Sequence, residues 1–459
     1  MLINTKSSKR STIKLSDNND DIISDDNKIS NIFNNHFSSI GAKINDKIPP
    51  GNGSYKDYFP ARGTNDSSPV NPPHSIFLSP TTSQEIKSII DSLDLKKSMG
   101  PASVPSFILK TYKDFFSKWL SKLVNLSFQQ GVFPDVLKTA EVIPIHKKGS
   151  KLDHGNYRPI SLLSIFSKIF EKSIYVRIFN YLVKHKLIYN KQFGFRASYS
   201  TNHALISITE KIKSFLDTGH FVCGIFIDLE KAFDTVNHKI LCDKLNYYGL
   251  RGKSNQLIRS YLANRKQYVS INGSKSNQKD VTCGVPQGSS LGPLLFSIYI
   301  NDFHKCLKST ITGHFADDTF ILYPNTNLKT IETVVNTELK RISNWLRLNR
   351  LSLNAGKTEL IIFRSKRRTL DKVISIKLDG KKLAPVKNVK YLGMVLDQHL
   401  SWDAHIMHLS RKLSKINGML CKLRSNAPKD VFLYGCNLWG LTSDKNIKVI
   451  KGYKKNVCG

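Results

Sequence analysis

The sequence has few cysteines, and none of them lies at a spacing typical of metal ligands. Seven cysteines are spread over 459 residues without a Cys-X-X-Cys pair or matching histidines. This absence argues against a structural zinc site and favours reduced thiols in an intracellular protein. We expect the protein in the nucleus and the cytoplasm. The basic segment 364–368 (RSKRR) is a candidate nuclear import signal, although a solvated loop is the commoner interpretation.

Long apolar runs and acidic residues are also scarce. No apolar run approaches the ~20 residues that a bilayer-spanning helix needs, so we expect no membrane partner. Only 35 Asp and Glu residues oppose 69 Lys and Arg residues, which gives a formal net charge of +34. Such an excess attracts polyanions, whether or not the protein is an enzyme, and their binding should fall steeply with salt. A hydrophobic content of 40% indicates a folded core.

Two stretches of the sequence favour helices, and two favour irregular polar chain. Apolar residues recur at helical spacing from Ile29 to Ile44. Thr82 and Glu85 form a capping box ahead of a second helix. Residues 1–27 are polar and predicted to be disordered, and residues 49–75 are predicted to be a linker rich in Gly, Pro, Asn and Ser.

The segment 315–318 (FADD) sets two carboxylates, Asp317 and Asp318, side by side between two apolar runs. This pattern predicts a β-hairpin with both acids at its tip. Because adjacent like charges repel, a cation between them would stabilise the arrangement, and Mg²⁺ prefers carboxylate and phosphate oxygens. By itself the pair is weak evidence, since Asp is common in surface turns.

A third carboxylate, Asp228, ends the apolar run 221–227 (FVCGIFI). Such a run is typical of a buried central strand that delivers a carboxylate to the edge of a sheet. Two-metal phosphoryl transfer needs carboxylates from separate strands around ions roughly 4 Å apart. Asp228, Asp317 and Asp318 could supply them, whereas an isolated Asp at a strand end more often caps the next element.

Residues 284–293 (GVPQGSSLGP) lie between these acids in the sequence and are rich in Gly and Pro. The composition predicts a loop whose backbone can approach a ligand closely, followed by a buried helix over the apolar residues 294–300. Alone, such a loop is equally compatible with a structural turn. Its place between Asp228 and the 317–318 pair makes the pattern specific.

The order of these motifs resembles that of reverse transcriptases from non-LTR (LINE-like, jockey-like) retrotransposons. Seven blocks match in the family's order within roughly residues 85–410, which leaves little room for chance. The blocks are 143–149 (IPIHKKG), 156–162 (NYRPISL), 192–196 (QFGFR), 226–234 (FIDLEKAFD), 284–292 (GVPQGSSLG), 315–318 (FADD) and 391–393 (YLG).

The resemblance implies an α+β fold with the right-hand polymerase architecture of fingers, a palm with an antiparallel sheet and a partial thumb. We expect a polar linker with one amphipathic helix over 1–75 and a fingers-like region over 76–215. The palm with the catalytic carboxylates would cover 216–395, and a partial helical thumb would cover 396–459. The residues of these motifs resemble those of reverse transcriptases from mobile elements more closely than those of intron maturases or telomerases.

The resemblance also implies roles for the acidic residues. Asp228 and Asp317 would bind two Mg²⁺ ions, one lowering the pKa of the primer 3′-hydroxyl and the other holding the incoming triphosphate. Asp318 corresponds to the second acid of the doublet and would support the site as a further metal ligand. Lys357 resembles the lysine placed near the triphosphate as a general acid, although it could equally be a surface lysine.

Five further residues correspond to positions that bind the nucleotide in the family. Lys148, for which Lys147 is the alternative, and Arg158 would grip the triphosphate, unless they are solvated surface charges. Phe233 would lie under the sugar and exclude a ribose 2′-hydroxyl, unless it is a core residue. Gln287 and Gly288 would contact the template and the nucleotide.

Three features depart from the family pattern. Ala102 and Ser103 stand where the family usually has Asp-Gly. Residues 428–440 look compressed, as if part of the thumb were missing, and no endonuclease precedes the polymerase motifs. We therefore expect a fragment or a decayed copy of a larger element.

Two functions remain open on the sequence alone. The first is an RNA-directed DNA polymerase that extends a DNA primer with dNTPs on an RNA template. The second is a catalytically silent remnant that at most binds RNA through its positive charge. The intact acids favour the first, and the apparent truncation favours the second.

Overall fold

The computed structural model describes residues 13–16, 21–59, 74–94, 100–101, 104–196, 198–370 and 374–420, the last six of these by their backbone only. The predicted departures at Ala102-Ser103 and at 428–440 lie outside the described residues, as does much of the predicted linker. The helices are α1 (Asp26–Lys47), α2 (Ser83–Asp91), α3 (Ser106–Thr111), α4 (Lys113–Gln130), α5 (Ile165–Lys184), α6 (Thr201–Asp217), α7 (His238–Tyr247), α8 (Lys253–Leu262), α9 (Gly292–Tyr299), α10 (Leu328–Leu348) and α11 (Asp403–Leu420).

The strands pair mostly in antiparallel fashion, which together with the helices confirms the predicted α+β class. Within the described ranges, no helix is long and apolar enough to cross a membrane. The strands are β1 (Leu15–Ser16), β2 (Ile22–Ile23), β3 (Thr139–His146), β4 (Tyr157–Leu162), β5 (Phe221–Ile227), β6 (Arg265–Ile271), β7 (Ser274–Lys275), β8 (Lys279–Val281), β9 (Ile311–Phe315), β10 (Asp318–Asn325), β11 (Glu359–Phe363), β12 (Ile376–Leu378), β13 (Lys381–Leu383), β14 (Asn388–Tyr391) and β15 (Met394–Asp397).

Contacts divide the chain into two compact units, each built from separate stretches of sequence. The four contiguous regions expected from the sequence stay a prediction. The first unit comprises Met1–Tyr189, Lys231–Asp302 and Arg347–Ser352, and the second comprises Asn190–Glu230, Phe303–Leu346 and Leu353–Gly459.

The first unit contains a sheet of order β4-β3-β6-β7, with β8 also paired to β6. Only the β3–β6 pair in it is parallel. The predicted helix α1 is confirmed, and its buried residues Ile29, Phe33 and Phe37 pack with Val142 and Val269 of this sheet. This apolar stripe explains why α1 docks on the sheet, since a helix gains most of its stability from burying one face.

The predicted disorder of residues 1–27 is wrong for part of that stretch. Leu15 has no exposed surface and belongs to the same core as α1. It lies in β1, which pairs with β2. The polar neighbours of Leu15 concealed the strand, because a single buried leucine produces no recognisable periodicity.

The predicted start of the second helix is confirmed in α2. The hydroxyl of Thr82 accepts a hydrogen bond from the Glu85 amide at 3.1 Å. The Glu85 carboxylate also pairs with the Arg177 guanidinium of α5 through two hydrogen bonds of 2.8 and 3.0 Å. The ionic contact therefore ties the first turn of α2 to α5.

The second unit contains an antiparallel sheet of order β11-β5-β10-β9. Every residue of β5 is buried, as its continuous apolar sequence predicts for a central strand. Residues of α6, such as Leu205 and Ile208, pack with Val222 of β5 and with Trp402, which immediately precedes α11. This core supports the end of β5 where Asp228 follows.

A glycine sets how closely α1 can approach the rest of the first unit. A Cβ atom on Gly41 would overlap the carbonyl oxygen of Asp234. Further along α1, the Asn45 side-chain amide donates to the Thr235 carbonyl oxygen at 3.1 Å. The helix is therefore in direct contact with the backbone at the end of the 226–234 motif and just after it.

We expect Gly41→Ala to destabilise the protein by about 1–3 kcal/mol, because the added methyl group is forced against a backbone oxygen. In an unobstructed helix the same change would stabilise by roughly 0.5–1 kcal/mol. Chemical unfolding followed by circular dichroism measures the difference. The control is Asn35→Ala on the exposed side of α1. Equal or greater stability of Gly41→Ala would show that this close contact does not constrain α1.

Candidate active site

The 317–318 carboxylates lie at the turn between β9 and β10, and the predicted hairpin is confirmed. Phe315 pairs with Asp318, which leaves Ala316 and Asp317 as the two central residues of the turn. Ala316 has a φ of 58°, whereas Asp317 does not have a positive φ. A positive φ at the first central position alone defines a type II′ turn, whose twist matches that of the flanking strands.

Asp228 directly follows β5, the strand that pairs with β10. Ile227 is the partner of Thr319 in this antiparallel pair. If the same register is continued by one residue, Asp228 lies opposite Asp318. Opposed residues of neighbouring strands have Cα atoms about 4.5–5.5 Å apart. The strand pairing thus brings the three predicted carboxylates to one end of the sheet, with Asp317 half-buried and Asp318 exposed.

Lys357 lies beside Asp228, and its Nζ is 3.3 Å from the Asp228 Oδ2. The backbone holds the two segments together, since the Asn354 amide donates to the Asp228 carbonyl oxygen at 2.9 Å. Leu229 and Leu353 also form an isolated bridge. Lys357 therefore has a definite carboxylate partner, although its side chain is 45% exposed.

The donors at this end of the sheet suit a hard cation. Carboxylate oxygens are the preferred ligands of Mg²⁺. The Asp228 carboxylate already has one cationic partner, the ammonium group of Lys357. In the part of the chain that the structure describes, no three His, Cys, Asp or Glu side chains are grouped closely enough to hold a metal ion. The residues present match a metal site in chemistry, and closure around an ion would require their side chains to converge.

The second group of predicted residues lies in the first unit, around the loop 284–292. Its backbone is tied at three points. The Gly284 and Val285 amides donate to the carbonyl oxygens of Val236 and Phe233, each at 2.8 Å, and the Gln287 carbonyl oxygen accepts from the Ser161 amide at 2.7 Å. These bonds hold the loop against β4 and against the backbone at the end of the 226–234 motif and just after it.

Gly288 is required by the same packing. Its φ is 122°, and a Cβ atom there would lie 2.5 Å from the Ser161 carbonyl oxygen. Both the backbone conformation and the close approach exclude a side chain. The predicted glycine-rich loop is therefore present and packs against β4. The buried helix α9 follows it, as expected.

The Gln287 side chain is held by the carboxylate of Asp234, a residue for which the sequence analysis predicted no role. Its Nε2 donates to the Asp234 Oδ1 at 2.8 Å. Burial raises the pKa of Asp234 from its ordinary value of 3.8 to about 6, while the Gln287 hydrogen bond and the charge of Lys231 oppose that rise. Asp234 is the last residue of the 226–234 motif, but nothing in the sequence indicated that it pairs with Gln287.

Phe233 is half-buried, and its ring stacks on Phe296 of α9 with centroids 4.7 Å apart and planes 26° from parallel. Phe296 is fully buried. One face of the Phe233 ring is thus supported by the core, while part of its surface reaches solvent. A rigid, partly exposed ring can exclude a bulky group from the space in front of it.

A buried glutamate supports the end of the same loop. Glu171 of α5 is fully buried, and it accepts hydrogen bonds from the Ser290 amide at 2.7 Å and from the Tyr261 hydroxyl at 2.9 Å. Burial raises the pKa of Glu171, and nearby Arg265 opposes this. Sequence reasoning missed Glu171, although a lone acid in the apolar segment 165–178 was a usable signal.

Lys148 and Arg158 lie on the β3–β4 hairpin, and both are exposed. Arg158 is in β4 opposite Ile145, and Lys148 is in the connection between the strands. Arg158 precedes Ser161 by three residues, which corresponds to roughly 10 Å along an extended strand. The hairpin therefore carries one cation, Arg158, on the strand that contacts the Gln287 loop and a second, Lys148, in the connection that precedes this strand.

The nine predicted residues thus form two groups. Asp228, Asp317, Asp318 and Lys357 belong to the second unit, and the strand pairing brings them to one end of its sheet. Gln287, Gly288 and Phe233 lie on connected segments of the first unit, and Lys148 and Arg158 on the adjoining hairpin. Their roles stay predictions.

A family model described as reverse transcriptase (RNA-dependent DNA polymerase) matches residues 145–396. This match covers more than half of the chain and contains all nine predicted residues, from Lys148 to Lys357. The chain belongs to the reverse transcriptase family. Reverse transcriptases generally use divalent metal ions, RNA templates, primers and nucleotides.

Curated relatives agree with this assignment and confirm the resemblance to non-LTR elements. The chain is 30% identical over 407 residues to a protein of Drosophila melanogaster named "Probable RNA-directed DNA polymerase from transposon BS", which covers 82% of this chain and 44% of the relative. It is 28% identical over 379 residues to the RNA-directed DNA polymerase from mobile element jockey of the same species, covering 79% of this chain and 40% of the relative.

A more distant relative comes from another element type. The chain is 25% identical over 342 residues to the retrovirus-related Pol polyprotein from type-1 retrotransposable element R1 of Bradysia coprophila, covering 73% of this chain and 33% of the relative. The chain therefore spans less than half the length of these curated relatives.

We expect Asp234→Asn to stabilise the protein increasingly as pH rises from 4 to 7. An acid whose pKa is raised by folding binds its proton more tightly in the folded state, so stability falls as pH rises through the range from 3.8 to about 6. The asparagine keeps an acceptor for Gln287 and removes this effect. The stability difference between variant and parent should grow by roughly 2 kcal/mol between pH 4 and pH 7.

Urea unfolding at a series of pH values measures this difference. The control is Asp280→Asn, which changes an exposed carboxylate of the same unit. A difference between Asp234→Asn and the parent that stays constant from pH 4 to 7 would contradict a raised pKa at Asp234.

Proposed function

We propose that this reverse transcriptase is an RNA-directed DNA polymerase of a non-LTR retrotransposon. It extends a DNA primer 3′-hydroxyl with dNTPs on an RNA template. The observation that carries the proposal is the register of β5 and β10, which aligns Asp228 with the Asp317–Asp318 turn at one end of a buried sheet. Separate strands that present carboxylates in this way suit two-metal phosphoryl transfer.

Asp228 and Asp317 are the residues that would hold two Mg²⁺ ions, with Asp318 as the further ligand. When bound there, the ions supply Lewis-acid chemistry, which lowers the pKa of the primer hydroxyl and offsets the charge of the triphosphate. The half-buried Asp317 and the exposed Asp318 differ in solvation, which supports the more central role for Asp317.

Lys357 is the candidate proton donor to the leaving pyrophosphate. Its contact with Asp228 supports this role, because the ammonium group is held at the carboxylate end of the sheet and not on a distant surface. The ammonium also offsets the charge of Asp228, which limits repulsion among the three carboxylates. An ammonium on a flexible stem can exchange a carboxylate partner for a phosphate.

Residues of the first unit would bind the nucleotide and template. Lys148 and Arg158 grip the triphosphate through charge-assisted hydrogen bonds, for which their exposure is suitable. Gln287 and Gly288 contact the template and nucleotide from a loop with a fixed backbone. Phe233, backed by Phe296, excludes the ribose 2′-hydroxyl and selects deoxynucleotides.

The finer architecture and location are part of the same proposal. Residues 76–215 serve as fingers, 216–395 as the palm and 396–459 as a partial thumb. The protein acts inside the cell, in the nucleus and cytoplasm. The second candidate function is a catalytically silent remnant that binds RNA, which the net charge of +34 favours by itself.

The decisive experiment is primer extension on an RNA template with Mg²⁺ and dNTPs, comparing the parent with Asp317→Ala. We expect the variant to lose roughly 10³-fold or more in rate, equivalent to about 4 kcal/mol of transition-state stabilisation. RNA binding should hardly change, since one carboxylate contributes little to a field set by +34 charges. Extension by the parent alone supports the polymerase.

The matched control for this experiment is Asp217→Ala, which removes an exposed carboxylate at the end of α6 in the same unit. It should extend primers like the parent. If neither the parent nor the control extends a primer while both bind RNA in a salt-dependent way, the silent remnant is the better description. Loss of both activities in Asp317→Ala would assign Asp317 to the fold.

We expect Phe233→Val to admit ribonucleotides, because the smaller side chain leaves room for a 2′-hydroxyl. The preference for dNTP over NTP, expressed as a ratio of kcat/KM, should fall at least about tenfold, a change of about 1.4 kcal/mol. Phe233→Tyr keeps the ring and should keep the preference. An unchanged preference in Phe233→Val would restrict Phe233 to packing against Phe296.

A further inference from the structure

We propose that Gln192 is a positioning residue for the catalytic turn, fixing the backbone of Ala316 and thereby the direction of Asp317. The inference rests on the proposed polymerase function, since it concerns the turn that carries the metal-binding carboxylates. It assigns a task to the segment 192–196 (QFGFR), which matched the family without an evident role. Every residue involved lies in the second unit.

The Gln192 side chain reaches the turn directly. Gln192 is 1% exposed, and its Oε1 accepts hydrogen bonds from the amides of Ala316 at 3.3 Å and Gly194 at 3.0 Å. One amide oxygen therefore joins two backbone segments that are about 120 residues apart in sequence. Ala316 immediately precedes Asp317, so the bond acts one residue away from a proposed metal ligand.

The Ala316 amide in the turn requires the Gln192 oxygen as a hydrogen-bond acceptor. Ala316 is 5% exposed, so water does not readily satisfy its amide. A buried amide without an acceptor costs roughly 1–3 kcal/mol. Ala316 also has a positive φ, which a non-glycine residue adopts only at a cost. The Gln192 oxygen offsets the first cost and holds the residue in the strained conformation.

Backbone contacts bring Gln192 to this place. The Phe193 amide donates to the His314 carbonyl oxygen at 2.8 Å, and the His314 amide donates to the Lys191 carbonyl oxygen at 2.9 Å. The segment thus pairs in parallel with β9, which is at the edge of the sheet. Gly194 completes the fit, because a Cβ atom there would overlap the Ala316 nitrogen.

The chemistry of the Gln192 side chain suits a positioning role. Among the described residues, none accepts a hydrogen bond from the Gln192 Nε2, which is buried. Glutamine is suitable because its oxygen accepts without adding a negative charge next to Asp317 and Asp318.

The test compares Gln192→Met, which keeps the size but removes the acceptor, with the parent. The matched control is Gln267→Met in the first unit, where another buried glutamine loses a side-chain hydrogen bond, to Asn34. Three readouts are needed: hydrogen exchange of a peptide covering 313–319, Mn²⁺ binding by electron paramagnetic resonance, and kcat and KM for dNTP in primer extension.

For Gln192→Met we expect faster exchange at the turn, weaker Mn²⁺ binding by about tenfold, and a lower kcat with an unchanged KM for dNTP. Gln267→Met should alter none of these, even if it lowers stability by a similar amount. Gln192→Glu retains an oxygen acceptor and should restore the slow exchange at the turn. A merely structural role would lower stability in both methionine variants without this selectivity.

Parent-like exchange and Mn²⁺ binding in a folded Gln192→Met variant would overturn the proposal. If that variant does not fold, Gln192→Glu supplies the test, because it keeps the oxygen acceptor. Fast exchange at the turn in a folded Gln192→Glu variant would likewise overturn the proposal. A parent that fails to extend primers refutes the polymerase function, whereas the exchange and Mn²⁺ measurements still decide the role of Gln192.

Discussion

The antiparallel pairing of β5 with β10 is the constraint on which the candidate catalytic end depends. Every residue of β5 is buried, and β5 pairs with β10 over seven residues, from the pair of Phe221 and Asn325 to the pair of Ile227 and Thr319. The observed register aligns Asp228 with Asp318. Lys357 lies against Asp228 at this end of the sheet and offsets part of its charge.

Both units use hydrogen bonds with buried side chains to fix an irregular backbone segment. In the second unit, a short edge segment and the Gln192 side chain fix a strained turn. In the first unit, backbone hydrogen bonds and two buried carboxylates, Asp234 and Glu171, fix a glycine-rich loop. In each case an otherwise irregular backbone is made rigid by satisfying its polar groups, as preorganised binding of a charged substrate requires.

Several elements of the fold could be predicted because their signals are local. The apolar run of β5, the spacing of α1, the N-cap of α2 and the hairpin at 315–318 each depend on neighbours in sequence. Leu15 could not be predicted, since its burial depends on α1 and a distant sheet. The partners of Gln287 and Ala316 were also hidden, because side-chain pairing across more than fifty residues leaves no periodic trace.

The sequence by itself determined the family, the identity of the three acids and the excess of positive charge, because these depend only on which residues occur and in what order. The tertiary structure alone decided which atoms meet: Lys357 with Asp228, Asp234 with Gln287, and Gln192 with Ala316. Hydrogen bonds and ion pairs act over a few ångströms. They are therefore set by how the strands and loops pack, and not by the order of residues along the chain.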